Sequence, residues 1–115
     1  EGLKRDRESF DYAVRDIMEV LPTMTDRDAP VVAAVSDGIR SVLGKEPEYV
    51  ISPGTYDQKH IARIGHLHDC IAYGPGILDL AHMADEYVGI DDMVESAKVM
   101  GHALHVLLTG DARAS

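Results

Sequence analysis

The sequence predicts an α/β fold, a short parallel sheet segment flanked by amphipathic helices, and three observations predict it. Apolar residues recur at helical spacing over 9–21, 29–43 and 91–109. Two short runs of strand formers, Tyr49-Val50-Ile51 and Asp69-Cys70-Ile71-Ala72-Tyr73, lie between the second and third of these stretches. A brief helical pattern over 56–63 separates the two runs. A strand, a crossover helix and a second strand make a unit whose strands lie parallel, since an antiparallel pair needs only a hairpin between them. At 115 residues the chain is one domain's worth. With five tyrosines, one phenylalanine and no tryptophan in a chain that is 45% hydrophobic, its core must be aliphatic.

Taken in order, Phe10, Ala13, Val14, Ile17, Met18 and Leu21 fall on one face of the first helix, with Ser9 at its N-cap. Residues 22–28 form a linker. Asp28 with Pro30 opens the second helix, whose stripe is Val31, Val35, Ile39, Val42 and Leu43, and Gly44 takes the left-handed position that ends it. Ser52-Pro53-Gly54-Thr55 stops the first strand. Ile61 and Ile64 anchor the crossover helix, which Gly65 ends, and Gly65-His66-Leu67-His68 leads to the second strand. In the last helix Met93, Val94, Ala97, Met100, Leu104, Leu107 and Leu108 trace one face, Asp92 and Glu95 have capping-box spacing, and Gly110 is the stop.

Charge and cysteine content narrow the function classes. With 20 acidic against 11 basic side chains the formal charge is −9, which repels a phosphate backbone and an anionic membrane surface alike. Nucleic acid and membrane are therefore not expected partners. Cys70 is the single cysteine, within an apolar run, which fits a structural thiol in a reducing, cytoplasmic setting. No signal-peptide pattern and no apolar run near ~18 residues occurs.

Chemistry concentrates around Tyr73-Gly74-Pro75-Gly76 and the Ala81-His82-Met83-Ala84-Asp85-Glu86-Tyr87-Val88 that follows. Gly74 and Gly76 admit a close approach of backbone to a ligand, and Pro75 fixes φ and withholds a donor. A strand ending in such a loop, with an imidazole close behind, suits a site at the carboxyl edge of an α/β sheet. The other histidines carry less. His66-x-His68 reads as a solvated loop pair, and His102 and His105 as helix-surface residues near a C-terminus. His60, beside Lys59 and just after the glycine turn, is a candidate ligand or substrate contact. Asp85 and Glu86 are adjacent, a poor spacing for an acid–base pair. No Cys-x-x-Cys, His-Glu-x-x-His, Gly-x-Ser-x-Gly or phosphate loop is present, so spacing alone yields no complete active site.

The order Gly44-Lys45-x-Pro47, Gly54-Thr55-x-Asp57, Tyr73-Gly74-Pro75-Gly76 and Ala81-His82-x-x-Asp85-Glu86-Tyr87-Val88, followed by a capped helix, resembles the carboxyl-terminal portion of the acetylornithine deacetylase, succinyl-diaminopimelate desuccinylase and aminoacylase family. The resemblance runs from about Asp28 to Leu108. It implies a dinuclear zinc amidohydrolase, with cobalt able to stand in the metal's place, and makes His82 a ligand of one of the two bridged ions. It further implies substrate contacts at Lys59, Gly74, Pro75 and Gly76, and supporting carboxylates at Asp57 and Glu86 behind the ligand shell. The family's arginine that holds a substrate carboxylate has no counterpart in Gln58-Lys59-His60, which leaves substrate identity open.

By the same resemblance, residues 1–27 are the end of a preceding lid-domain segment with a linker helix, and 28–115 the carboxyl-terminal part of the catalytic domain. The first metal-binding histidine, the bridging aspartate and the glutamate pair fall before residue 1. The implied full-length protein is a cytoplasmic homodimer hydrolysing the amide of an N-acyl amino acid or small peptide, and this stretch alone is inactive. The alternative from another class is a free-standing small α/β binding or scaffold module, in which His82 is merely structural.

Overall fold

The computed structural model describes residues 13–17, 19, 21–52, 54 and 56–110. Within them lie α1 (Pro30–Leu43), α2 (Gln58–Gly65), a 3-10 turn (Leu78–Leu80) and α3 (Ile90–Thr109), joined by irregular chain.

The helices form where the periodicity places them. Pro30 occupies the first turn of α1, where its missing N–H costs nothing, and Gly44 closes the helix at φ 64° by donating its N–H to the Arg40 carbonyl. Gly110 ends α3 in the same way at φ 70°, its N–H on the Val106 carbonyl. Two details depart from expectation. Gly89 is the N-cap of α3 and no side chain caps it, so Asp92 and Glu95 form no capping box. Gly65 is the last residue of α2, and His66 takes the left-handed position beyond it at φ 54°.

The core is the contact between α1 and α3. Val32, Ala34, Ser36 and Gly38 on α1 and Ser96, Val99 and Ala103 on α3 are buried, and at Gly38 the two helices come into direct contact at Val99. Small residues let the helix axes approach. At Gly38 an added Cβ would stand 2.9 Å from the Val99 carbonyl oxygen and 3.2 Å from its Cγ1, so the position has no room for a side chain. Beside it, His102 Nε2 and Asp37 Oδ2 meet at 2.6 Å across the interface. Val99 is wholly buried, which contributes about 1.5–3 kcal/mol at a residue of this size.

The expected parallel sheet is overturned. No strand is present among the described residues, and the fold there is helical. Tyr49-Val50-Ile51 and Asp69–Tyr73 are irregular segments without a ladder. The physical reason is partnership: strand-forming side chains give a strand only where a neighbouring backbone accepts and donates hydrogen bonds, and here side chains take that role. The Cys70 carbonyl accepts from the Thr25 hydroxyl and the Gln58 amide, and the Cys70 N–H donates to Thr25 Oγ1 at 3.4 Å. The His68 carbonyl lies 2.9 Å from Thr25 Oγ1, so the single hydroxyl proton serves the two carbonyls between them. Tyr49 is held by its polar tip, Ser36 Oγ to Tyr49 Oη at 2.9 Å, with the Arg27 guanidinium 5.1 Å above its ring. Val50 and Ile51, which have no such handle, are 75% and 92% exposed.

The helix expected over 9–21 is likewise missing from its described part. Residues 13–17, 19 and 21 are irregular, with Val14, Ile17 and Leu21 exposed, while Ser9, Phe10 and Met18 lie outside the described residues. A helix of that length is marginal in water unless its apolar stripe packs on something. Of residues 13–17, 19 and 21, none buries its side chain.

Candidate functional site

From Tyr73 the chain turns through Gly74-Pro75-Gly76, where Gly76 sits at φ 100°, a conformation that glycine tolerates without strain. A Cβ at Gly76 would lie 3.8 Å from Val88 Cγ2, so this loop returns close to the stretch just before α3. The loop lines a cleft of about 470 Å³ with the end of α1 at Ile39 and Leu43, the Lys45–Glu48 segment, and the first turns of α3 at Asp92 and Glu95.

The 3-10 turn at Leu78–Leu80 then delivers His82. Leu80, Ala81 and Met83 donate their N–H groups to the carbonyls of Ile77, Leu78 and Leu80, at 3.0 Å in each case. His82 itself is exposed and held at φ 65°. A left-handed conformation at a residue bearing Cβ costs about 1–2 kcal/mol, and something must compensate. Glu86 does so in part: its Oε2 accepts the His82 backbone N–H at 3.0 Å. The imidazole is left free, since no hydrogen bond to its ring occurs among the described residues.

The predicted site residues therefore divide in two. Gly74, Pro75, Gly76, His82 and Glu86 share one stretch, and Glu86 contacts His82 through the backbone rather than through the ring. Lys59 and Asp57 belong elsewhere. Asp57 is the N-cap of α2, contributing its carbonyl to the N–H groups of His60 and Ile61 at 2.8 and 3.1 Å and making no side-chain cap. Lys59, half-buried on α2, lines a second cleft of about 660 Å³ beside Leu21–Met24. The two clefts have no lining residue in common. Among the described residues no three His, Cys, Asp or Glu side chains converge as a group able to hold a metal ion. What they offer is one accessible imidazole.

Two features had no sequence signal. The Asp37–His102 pair joins residues 65 apart, and periodicity alone left His102 on the helix surface. The polar cluster of Thr25, Gln58 and Cys70 spans 45 residues, and only the fold brings it together. No helix among the described residues is long and apolar enough to cross a membrane.

Comparison with known proteins bears on the same residues. Positions 6–106 match the model of peptidase family M20/M25/M40. The chain is 34% identical over 103 residues to a succinyl-diaminopimelate desuccinylase of Pseudoalteromonas atlantica, covering 90% of this chain and 26% of that protein. It is 30% identical over 104 residues to the enzyme of the same name from an Azoarcus species, again 90% of this chain and 26% of the relative. An acetylornithine deacetylase of Myxococcus xanthus is 28% identical over 102 residues, 89% of this chain and 25% of that protein. The chain thus spans about a quarter of the length of the curated relatives it matches. No solved structure matches it.

Proposed function

This chain belongs to peptidase family M20/M25/M40, and from that premise we propose that it supplies the carboxyl-terminal part of the catalytic domain of a metal-dependent amide hydrolase. The substrate class is an N-acyl amino acid or small peptide. The observation that carries the reading is the continuous match over residues 6–106, together with relatives named as a desuccinylase and a deacetylase. Nothing in those relatives favours the non-catalytic module.

In this reading residues 1–27 close the preceding lid segment and 28–115 belong to the catalytic domain. His82 contributes one zinc ligand. Its exposed ring, projected from a left-handed backbone and steadied by Glu86, supports that role, because strain of this kind persists where the surroundings hold a residue for a purpose. A zinc site takes three or four donors, so the residues here fit the supply of one ligand and not of a whole site. Zinc, when bound, polarises the amide carbonyl and lowers the pKa of a bound water. Gly74, Pro75 and Gly76 form a wall for the substrate, Lys59 contacts its carboxylate, and Asp57 and Glu86 stand behind as supporting carboxylates. The full-length protein is a cytoplasmic homodimer holding two zinc ions.

The test is His82→Ala in the full-length protein, with bound metal counted by elemental analysis and turnover followed on N-acetyl and N-succinyl amino acids and a dipeptide. We expect the loss of about one metal ion per subunit. Activity should fall by more than about 100-fold, since even residues that only support a ligand are worth about 10–100-fold. Two ions per subunit with full activity would remove His82 from the site.

A further inference from the structure

α3 divides along its length into three strips, each stepping by three or four residues and so keeping to one face of the helix. Ser96, Val99, Ala103 and Val106 make the first, buried or half-buried, and its Val99 meets Gly38 of α1. Asp91, Glu95, Lys98, His102 and His105 make the second, polar at every position. The third is Met93, Ala97, Met100, Leu104 and Leu107, apolar at every position.

Yet the third strip faces solvent. Its Met93, Met100, Leu104 and Leu107 are between 43% and 58% exposed, and among the described helices only α1 touches α3. A surface helix shows one apolar face with polar residues opposite, so apolar strips on two sides call for cover on two sides. α1 supplies one. The uncovered strip runs about 21 Å from Met93 to Leu107 at ~1.5 Å per residue and carries no charge, so it fits an apolar face of similar length.

Length and charge select the occupant. The matches cover about 90% of this chain but only 26%, 26% and 25% of three relatives, so most of such a protein lies outside these residues. A surface within the same polypeptide is presented at an effective concentration on the order of millimolar. A second copy comes only at the protein's own concentration and brings a second formal charge of −9.

We propose that the outer strip of α3 is an internal interface of the full-length protein, docked on an apolar face of the part lying outside these 115 residues. This rests on the reading of the chain as one part of a catalytic domain, and adds the surface that joins this part to the rest. α3 begins at Ile90, shortly after His82, so seating the strip also fixes where the imidazole is presented.

Oxidation of the purified full-length protein by hydrogen peroxide, with each methionine followed by peptide mass spectrometry, tests it. The thioether sulfur gives a lone pair to a peroxide oxygen and becomes the sulfoxide, as the O–O bond breaks and water leaves. Met93 and Met100 are expected to oxidise at least tenfold more slowly in the folded protein than in the same protein unfolded in guanidinium. Lys98, on the polar strip, should be acetylated within threefold of its unfolded rate. Folded rates for Met93 and Met100 within threefold of the unfolded ones would overturn the proposal. So would protection that disappears on hundredfold dilution, which assigns the strip to a second copy. His82→Ala should leave the protection within twofold. Two metal ions retained in that variant with both methionines protected sinks the metal reading alone, and one ion lost with both methionines unprotected sinks the docking alone.

Discussion

In the α1–α3 pair Val99 is wholly buried, Gly38 has no space for a Cβ, and Asp37 meets His102 at 2.6 Å across the seam. Between Lys45 and Gly89 the described chain buries one apolar side chain, Ala62, and is placed by hydrogen bonds from Thr25, Gln58 and Ser36. The first region is held by packing, which is non-directional and needs only complementary shape. The second is held at points, by polar contacts that each contribute about 1 kcal/mol net. The candidate site residues all lie in the second region, where exposed side chains and a strained His82 are tolerated because little packing depends on them. Such segments open locally at lower free energy than packed helices do.

Three substitutions sharpen this contrast. Val99→Ala removes two methyl groups from the one large side chain without exposure among the described residues, and should lower unfolding free energy by about 2 kcal/mol in urea denaturation. A loss under about 0.5 kcal/mol, the level of a surface change, would mean that the helix seam is not the core. His102→Ala breaks the cross-helix pair. Because both partners keep partial exposure, 30% and 24% of their side-chain surface, the expected loss is smaller, about 1 kcal/mol. A double-mutant cycle with Asp37→Ala isolates it, and a coupling near zero would reduce the contact to simple proximity. Thr25→Val should change global stability least. Its effect should appear as about tenfold faster hydrogen exchange at the Cys70 amide, which donates to Thr25 Oγ1, with the α1 and α3 amides unchanged. Equal acceleration in the helices would show that the two regions open as one.

The helices were legible because a period of 3.6 is written locally. Pro30, Gly44 and Gly110 mark their ends through backbone geometry that needs no distant partner. The Gly-Pro-Gly turn and the position of His82 were legible for the same reason. Strand character was not, because Tyr49-Val50-Ile51 and Asp69–Tyr73 have the composition of strands but find no ladder among the described residues. The 9–21 stripe failed similarly, with Val14, Ile17 and Leu21 unpacked.

What the sequence determined by itself, then, is local: three helices, the stops of two of them at Gly44 and Gly110, the turn at Gly76, and the order of residues that places the chain in peptidase family M20/M25/M40. The tertiary structure alone decided which helix faces meet, that Gly38 must lack a side chain, that His102 finds Asp37, and that Lys59 lies in a different cleft from the Gly-Pro-Gly loop. The physical reason is range. Periodicity and capping are set by neighbours three or four residues away, whereas packing and cross-chain hydrogen bonds join residues that only the folded chain brings within reach.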